Sequence, residues 1–357
     1  MAPTPAAAAT VSSRGDTSPA PPGGSQPVAG GWQLAASSAL TRLLRQRELG
    51  IALVAIILFV LFSLLSHGTF DSVQNWAAIG SATAELGIVT VGVSLLMVSG
   101  EFDLSVGANF AFAALVMALM IHDGYPPLEA LGADIGIGIG VGLLNGLVTV
   151  MLDIPSFITT LGTFFLWSGV TLLVTGGQTV TILNPPGVLT ALGGSVSGQI
   201  RAEIFWWLGA GLVIGLLLHR TVTGNWLFAV GGKRFAARET GVPVVRTRVI
   251  AFVICGVLAA FAGAVQLGHL DSMSASFGST YQLEAIAASV VGGCALTGGR
   301  GSILGAMIGT VVLQMLDNGL ILSGVSPYWY ESVVGVIVIA AVALHVRIGR
   351  LTRGAEQ

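Results

Sequence analysis

Two carboxylates interrupt a long apolar region of this sequence. Glu101 and Asp103 stand in the segment SGEFDLSVG (99–107), which has apolar stretches on both sides. Ionisable side chains at membrane depth are costly, so this pair is a candidate for lining the path of a solute, an ion or a proton. The alternative is a turn in which Asp103 or Ser105 caps the next helix, and a capped break can itself fix a discontinuous helix beside a solute path. The candidate residues of this segment are Gly100, Glu101, Asp103, Leu104, Ser105 and Gly107.

A basic segment near the middle of the chain suits contact with a partner. The residues from Lys233 to Glu239 predict a short helix, which follows two glycines and is stopped by Gly241 and Pro243. Its positive charge is explained either by contact with anionic lipid or by docking of a soluble protein. The candidate docking residues are Gly231, Gly232, Lys233, Arg234, Ala236, Ala237, Arg238 and Gly241.

A third interruption is the glycine-dense hairpin GGCALTGGRGS (292–302), which includes Gly293 and Gly299. Glycine permits sharp turns and close backbone contacts, so packing is the default interpretation here. Glu284 and Asn318 fall within or near apolar stretches, where polar side chains usually bond across helices. We keep both as candidates for the solute path.

The sequence carries no recognisable nucleotide-binding or catalytic group. Leu227 replaces the first glycine of the phosphate-binding pattern G-x-x-x-x-G-K-[ST], and Arg234 follows Lys233, so ATP binding by this chain is not predicted. Cys255 and Cys294 lack the spacing of a zinc site. The five His residues are dispersed along the chain, so no active-site cluster is predicted.

Membrane helices must position these segments. Hydrophobic residues make up 54% of the chain and charged residues only 9%, whereas about 25% of the residues in soluble domains are charged. The apolar residues come in runs of membrane-crossing length, and the 50 glycines suit close helix packing in lipid. We therefore predict an all-α polytopic transmembrane bundle of about ten spans. The predicted spans are 50–67, 76–99, 104–121, 130–151, 157–176, 203–219, 249–270, 283–298, 302–322 and 329–346.

Basic residues predict the orientation of these spans. They cluster before the first span, between the sixth and seventh, and after the last, so these three regions should face the cytoplasm. The even numbers of spans between the clusters agree with this, and the loop 177–202 is then external. The clusters are Arg42, Arg45 and Arg47; Arg220, Lys233, Arg234, Arg238, Arg246 and Arg248; and Arg347, Arg350 and Arg353.

The chain divides into three predicted parts. Residues 1–40 are rich in Ala, Pro, Ser and Gly, which predicts a disordered cytoplasmic tail. A signal peptide is the competing interpretation, but the required basic flank, apolar stretch and cleavage site are missing. Residues 41–350 are predicted to form the transmembrane domain, with the cytoplasmic segment 220–248 inside it, and 351–357 a cytoplasmic tail.

Several motifs in order carry a family resemblance. GEFDLSVG (100–107) resembles the pattern G-[GE]-[IF]-D-L-S-V-G, and residues 231–242 resemble G-G-N-x-x-A-A-x-x-[ST]-G-I. These are motifs of the permease subunits of bacterial ABC importers of the ribose/xylose/galactose type, the monosaccharide branch of the binding-protein-dependent transport family. The likeness extends from roughly Gly50 to Arg347, although Lys233 stands where the family usually has Asn. It continues through EAIAA (284–288), GGRG (298–301), NGL (318–320) and VSPYW (325–329).

The resemblance implies a type II ABC importer-like permease in the bacterial inner membrane. Two permease copies, a homodimer by the simplest expectation, would form the path for a monosaccharide. An extracytoplasmic binding protein would deliver the sugar, and a cytoplasmic ATPase would hold ATP and Mg²⁺, with no cofactor bound by this chain and no catalysis in it. The helix at 233–239 would be the coupling helix. The break at 100–107, Glu284 and the 292–301 hairpin would offer the solute weak hydrogen bonds.

Two other classes stay open on the residues alone. An ion-coupled secondary transporter would also have broken helices and buried carboxylates, but it gives no reason for a docking segment. A membrane enzyme would need convergent His, Asp or Cys groups, which the sequence does not supply.

Overall fold

The computed structural model describes residues 47–66, 68–326, 328–337 and 339, with side chains described from residue 50 onwards. The predicted tails, the basic residues at 42 and 45 and those from 347 onwards lie outside the described residues, and so does part of the predicted tenth span. The described residues belong to one compact unit.

Helices dominate the described residues, as the sequence predicts for an all-α polytopic protein. In chain order they are α1 (Arg47–Leu65), α2 (Val73–Val98), α3 (Val106–His122), α4 (Pro127–Met151), α5 (Ser156–Thr175), α6 (Gly187–Gly193), α7 (Ala202–Arg220), α8 (Val222–Gly232), α9 (Arg234–Glu239), α10 (Val244–Leu270), α11 (Tyr281–Val291) and α12 (Ile303–Leu322). Residues 329–337 are also helical. The strands β1 (Val180–Thr181) and β4 (Ser272–Met273) form one antiparallel pair, and β2 (Ser195–Ser197) and β3 (Ile200–Arg201) form another.

Helix α2 is the centre of the bundle. It packs against α7, α10, α11 and α12, and 94% of its most apolar stretch is buried, compared with 22% for the peripheral helix α5. A helix that is apolar on all sides belongs in a core, and α2 buries Leu86, Val91 and Leu95 completely. The residues at the end of α2 therefore have a fixed position in the molecule.

Helices α4 and α10 pack closely because glycines line their contact. A Cβ atom added to Gly138 would lie 2.7 Å from the carbonyl oxygen of Gly256, and one added to Gly142 would lie 2.6 Å from that of Phe252. Any larger side chain would push the two backbones apart. This is the small-residue packing that the glycine content predicts for helices in lipid.

Among the described residues, six helices are long and apolar enough to cross a membrane, namely α2, α4, α5, α7, α10 and α12. The helices Gly50–Leu65 and Val106–His122 are apolar but shorter. The predicted span 283–298 is wrong as a continuous helix: α11 has 11 residues and ends at Val291, where Gly292 and Gly293 turn the chain. A helix of that length reaches only about 17 Å.

Helices α3 and α11 both begin inside the bundle. In the first turn of α3, the Asn109 side chain donates to the carbonyl oxygen of Gly256, which lies about 18 Å along α10. In the first turn of α11, the ring of Tyr281 meets that of Phe110 at a centroid distance of 5.1 Å. The amino-terminal ends of two short helices therefore meet near the middle of the bundle, which is typical of discontinuous helices in transporters.

The segment between α5 and α7 covers one end of α10. Strand β1 pairs with β4 just after α10, and α6 packs on the last turn of α10 with Leu189 and Leu192 buried. We call this the capped end of the bundle. The other end, which carries α8, α9 and the start of α10, is called the basic end.

Candidate functional site

Three regions that the sequence singles out meet at the basic end. The first is the end of α2 with the start of the 99–105 break, the second is the end of α8 and the third is the 298–301 turn, and they pack against one another. The backbone amide of Gly299 donates to the carbonyl oxygen of Val98 at 2.8 Å, and Gly231 at the end of α8 lies against the same carbonyl. We call this contact the junction.

The junction requires glycine. A Cβ atom on Gly231 would overlap the carbonyl oxygen of Val98 and lie 2.6 Å from the amide nitrogen of Gly299. Gly298 has a φ of +79°, in the left-handed region, and its added Cβ atom would lie 2.6 Å from Cα of Gly100. The backbones of three separate segments thus touch directly, so movement of one must displace the others.

Glu101 adds an electrostatic connection at the junction. Its Oε1 atom accepts hydrogen bonds from the guanidinium groups of Arg234 and Arg248, each at 2.6 Å. The Glu101 and Arg248 side chains are only 3% and 7% exposed, whereas that of Arg234 is 47% exposed. Because a buried charge needs a partner of opposite charge, the Glu101 carboxylate and the Arg248 guanidinium stabilise each other. The ion pair with Arg234 connects α9 to these two residues.

Asp103 fixes the break beside α4 and α5. Its carboxylate accepts from the amide and the hydroxyl of Ser105 at 2.8 and 2.6 Å, and from the Asn145 amide at 3.2 Å. Asn145 in turn accepts from the Thr163 hydroxyl at 2.7 Å. Ser105 is the residue that precedes α3, but its hydroxyl makes no cap hydrogen bond to that helix.

The position of Asn145 gives the depth of the break. Asn145 stands six residues before the end of α4, which is about 9 Å into the bundle. In addition, the amide of Leu104 donates to the Thr160 hydroxyl at 3.0 Å. The 99–105 segment is therefore a break inside the protein, with its polar groups satisfied by neighbouring helices.

The predicted short helix after Lys233 is present as α9. Ala237 is buried, while Phe235 is 79% exposed, and Lys233 and Arg238 are exposed as well. A cavity of about 910 Å³ lies beside α9 and is bordered by Arg238, Arg246 and apolar residues of α4 and α10. An exposed aromatic side chain surrounded by arginines is typical of a protein contact.

Comparison with known proteins places the chain in a family. Residues 75–342 match the family described as branched-chain amino acid transport system / permease component. The chain belongs to this permease family. The family is a transport component, so the protein is a membrane transport subunit and not an enzyme.

Relatives of this permease cover most of its length. The xylose/arabinose import permease protein XylH of Sulfolobus acidocaldarius is 34% identical over 85% of this chain and 86% of its own. The ribose import permease protein RbsC of Escherichia coli K12 is 32% identical over 84% of this chain and 93% of its own. The autoinducer 2 import system permease protein LsrC of Klebsiella pneumoniae is 35% identical over 86% and 88%. No solved structure matches the chain.

The remaining predicted site residues of the permease lie away from the junction. Glu284, in the first turn of α11, accepts from the hydroxyls of Thr280 at 2.5 Å and Tyr330 at 3.3 Å. Gly107 packs against Gly278 just before α11 and against Gln282 in the first turn of that helix. Gly293 is in the turn that follows α11, and Asn318 is near the far end of α12, where its amide oxygen has no hydrogen-bond partner among the described residues.

Sequence reasoning missed three residues that make contacts between separate segments of the structure. Arg248 was assigned only an orienting charge, whereas it is the buried partner of Glu101. Asn145 connects Asp103 to α5, and Glu85 is buried in the central helix α2. Asn145 and Glu85 are polar residues inside predicted spans, so the rule applied to Glu101 and Asp103 would have found them.

Proposed function

We propose that this permease forms the membrane path of an ATP-driven importer for a monosaccharide. A solute-binding protein delivers the sugar, and a separate ATPase subunit holds ATP and Mg²⁺, with no cofactor on this chain. The similarity, over most of the chain, to permeases named for ribose and for xylose and arabinose supports a sugar as the solute. The observation that carries the coupling to ATP hydrolysis is the junction, because it connects an exposed short helix to a break in the membrane helices.

The proposed topology has ten membrane crossings, with both termini and the basic end in the cytoplasm. Positive charge supports this orientation, since Arg220, Arg238 and Arg246 all lie at the basic end. The tenth crossing would begin with the helical residues 329–337. The eighth would consist of α11 and the turns that flank it, as in other broken transporter helices.

In the proposed coupling mechanism, α9 is the helix that the ATPase moves. Phe235 and Arg238 project from it and would enter a cleft of the ATPase. A displacement of α9 would then act on Glu101 through Arg234, and on the end of α2 through Gly231. Two copies of the permease, arranged as a homodimer, would transmit this movement on both sides of the path.

The proposed path runs past the ends of the discontinuous helices. Asp103 and Ser105 hold the break in shape, because their polar groups are already hydrogen-bonded within the chain. Gly107, Glu284 and the 292–301 turn lie beside the start and end of α11, where a passing sugar would meet weak hydrogen-bonding groups. Weak binding suits a transport path, because a tightly bound solute would not be released from it.

Replacing Phe235 with Asp should abolish association with the ATPase while leaving the permease folded. The side chain is 79% exposed, so the substitution removes little internal contact, but it places a negative charge on the proposed docking surface. Co-purification of the ATPase with the permease from membranes measures the effect. The matched control is Tyr125→Asp, which changes a 54% exposed aromatic residue in the loop between α3 and α4. Equal recovery of the ATPase with both variants would refute the docking surface.

One observation favours a second candidate function, an ion-coupled secondary transporter. Asp134 is fully buried in α4, and neither of its carboxylate oxygens has a hydrogen-bond partner among the described residues. A buried acid of this kind is a candidate proton or cation carrier. Under this alternative, uptake would depend on an ion gradient and would require no ATPase.

Uptake into vesicles tests these functions against each other. Vesicles holding the permease together with its proposed ATPase and binding protein are given radiolabelled ribose, xylose, galactose or leucine, with and without internal ATP. We expect uptake of a sugar that needs ATP and the binding protein and survives collapse of ion gradients. Leucine uptake would instead follow the family's description, and gradient-driven uptake by the permease alone would establish the secondary transporter.

A further inference from the structure

Two carboxylates and an imidazole converge from three helices toward the capped end. Glu85 belongs to α2, Glu203 to the first turn of α7 and His269 to the last turn of α10. Each offers one possible metal-ligand atom, and these atoms lie within 4.8 Å of one another. This cluster is separate from the junction and has no part in the proposed coupling mechanism.

The donor atoms have the spacing of a metal centre. The Nδ1 atom of His269 lies 3.3 Å from Oε2 of Glu203 and 2.6 Å from Oε1 of Glu85. Tetrahedral zinc, with bonds of about 2.0–2.1 Å, holds its ligand atoms about 3.3 Å apart. The 3.3 Å distance to Glu203 already matches this value. A small side-chain rotation would lengthen the 2.6 Å distance to Glu85 to the same value.

Glu203 is the most deeply buried of the three donors. Its side chain is completely buried, and the polar groups that face its carboxylate are the Ser81 hydroxyl and the side chains of His269 and Arg201. The nearby Arg201 places its Nε atom at 3.5 Å and donates its terminal nitrogen to the carbonyl oxygens of Gly193 and His269. A buried carboxylate is costly unless a positive charge lies beside it.

The charges of the cluster favour a divalent ion. Glu85 and Glu203 are at most 7% exposed, so their two negative charges are barely screened by solvent, whereas the Arg201 side chain is 28% exposed. A divalent cation between the carboxylates would balance both charges directly. With one imidazole nitrogen and two carboxylate oxygens as donors, zinc is the metal that fits.

Hydrogen bonds from Gln266 and Tyr281 hold Glu85 in place for this role. Its Oε2 atom accepts from the Gln266 amide at 3.1 Å and from the Tyr281 hydroxyl at 3.4 Å. Its other oxygen, Oε1, is the one nearest His269. Such outer contacts orient the ligands of protein metal sites.

An entry path reaches the cluster. A cavity of about 340 Å³ is bordered by Glu85, Arg201 and His269, and by small or polar residues of the first half of α2. We propose that Glu85, Glu203 and His269 bind a zinc ion at the capped end of the permease, with the fourth coordination position open to this cavity. The ion would fasten α2, α7 and α10 together near the end where the proposed path opens.

Zinc binding by the purified full-length permease tests this proposal and does not depend on transport. After removal of metals with a chelator, calorimetric titration with Zn²⁺ should reveal one saturable site per chain. The variants Glu203→Gln and His269→Asn should each weaken binding by roughly tenfold or more. The matched controls Glu129→Gln and His122→Asn, which alter exposed residues, should bind zinc like the parent.

Cobalt provides a second measurement that needs no variant. Co²⁺ bound to the parent protein should give the intense visible absorption of a four-coordinate site, and Zn²⁺ should displace it. The absence of saturable zinc binding and of this absorption would overturn the proposal. Undiminished zinc binding by a folded Glu203→Gln variant would overturn it as well.

Discussion

A Glu101→Gln permease should unfold more easily than the parent and should lose coupled uptake. The substitution leaves Arg248, which is 7% exposed, without its carboxylate partner. Removing one partner of a buried ion pair destabilises proteins by about 3–5 kcal/mol. Arg234 is half exposed and contributes little to this loss, because solvent screens its charge. Denaturant unfolding in detergent measures the stability, and uptake into vesicles measures the coupling.

Two further variants show whether Glu101 acts through its charge. Glu239→Gln removes an exposed carboxylate at the end of α9 and should match the parent in both assays. The double variant Glu101→Gln, Arg248→Gln should recover part of the lost stability, because no buried charge is then left unpaired. Its uptake should remain low, since Arg234 has still lost its connection to the break. A single Glu101→Gln variant as stable as the parent would contradict the importance of the pair.

The sequence predicted the kind of fold well because the membrane imposes a simple rule. Backbone groups in lipid must be satisfied within helices, so long apolar runs identify spans directly. This worked for α2, α4, α5, α7, α10 and α12. It failed for 283–298, where an apolar composition hides a helix of 11 residues. Hydropathy cannot locate a break when the turn residues, here Gly292 and Gly293, are themselves uncharged.

The candidate site was predictable in its parts but not in its connections. The 100–107 segment, the short basic helix and the glycine hairpin each stand out because they interrupt apolar runs. Their contact at the junction depends on packing between segments about 130 residues apart in sequence, such as Glu101 and Arg234. A single sequence holds no information on which arginine pairs with Glu101, and it gave Arg248 the less specific role of an orienting charge.

The same limit explains why the cluster at the capped end was not expected. Glu85, Glu203 and His269 are spread over nearly 190 positions, and none has a neighbour in sequence with which it forms a ligand motif. In the sequence, His269 is only one of five dispersed His residues. The structure adds that α2, α7 and α10 bring both carboxylates to its ring, which is a consequence of α2 lying at the centre of the bundle.

Replacing Gly231 with Ala should abolish uptake, although the neighbouring Gly232→Ala variant should transport normally. The Cβ atom at position 231 would overlap the carbonyl oxygen of Val98 and approach the amide of Gly299, and these backbone atoms cannot rotate away. The junction must therefore separate, at a cost of about 1–3 kcal/mol for overpacking. At position 232 the added Cβ atom meets nothing within 4 Å, and alanine favours the helix by up to about 1 kcal/mol.

The pair of variants isolates the junction because it alters the same helix end by the same methyl group. Uptake into vesicles and recovery of the ATPase are measured for both. If α9 drives the break through backbone contact, Gly231→Ala retains the ATPase, since the exposed face with Phe235 is unchanged, but no longer couples ATP hydrolysis to uptake. Normal uptake by Gly231→Ala would mean that the contact with Val98 transmits no movement, and that coupling runs through Arg234 and Glu101 alone.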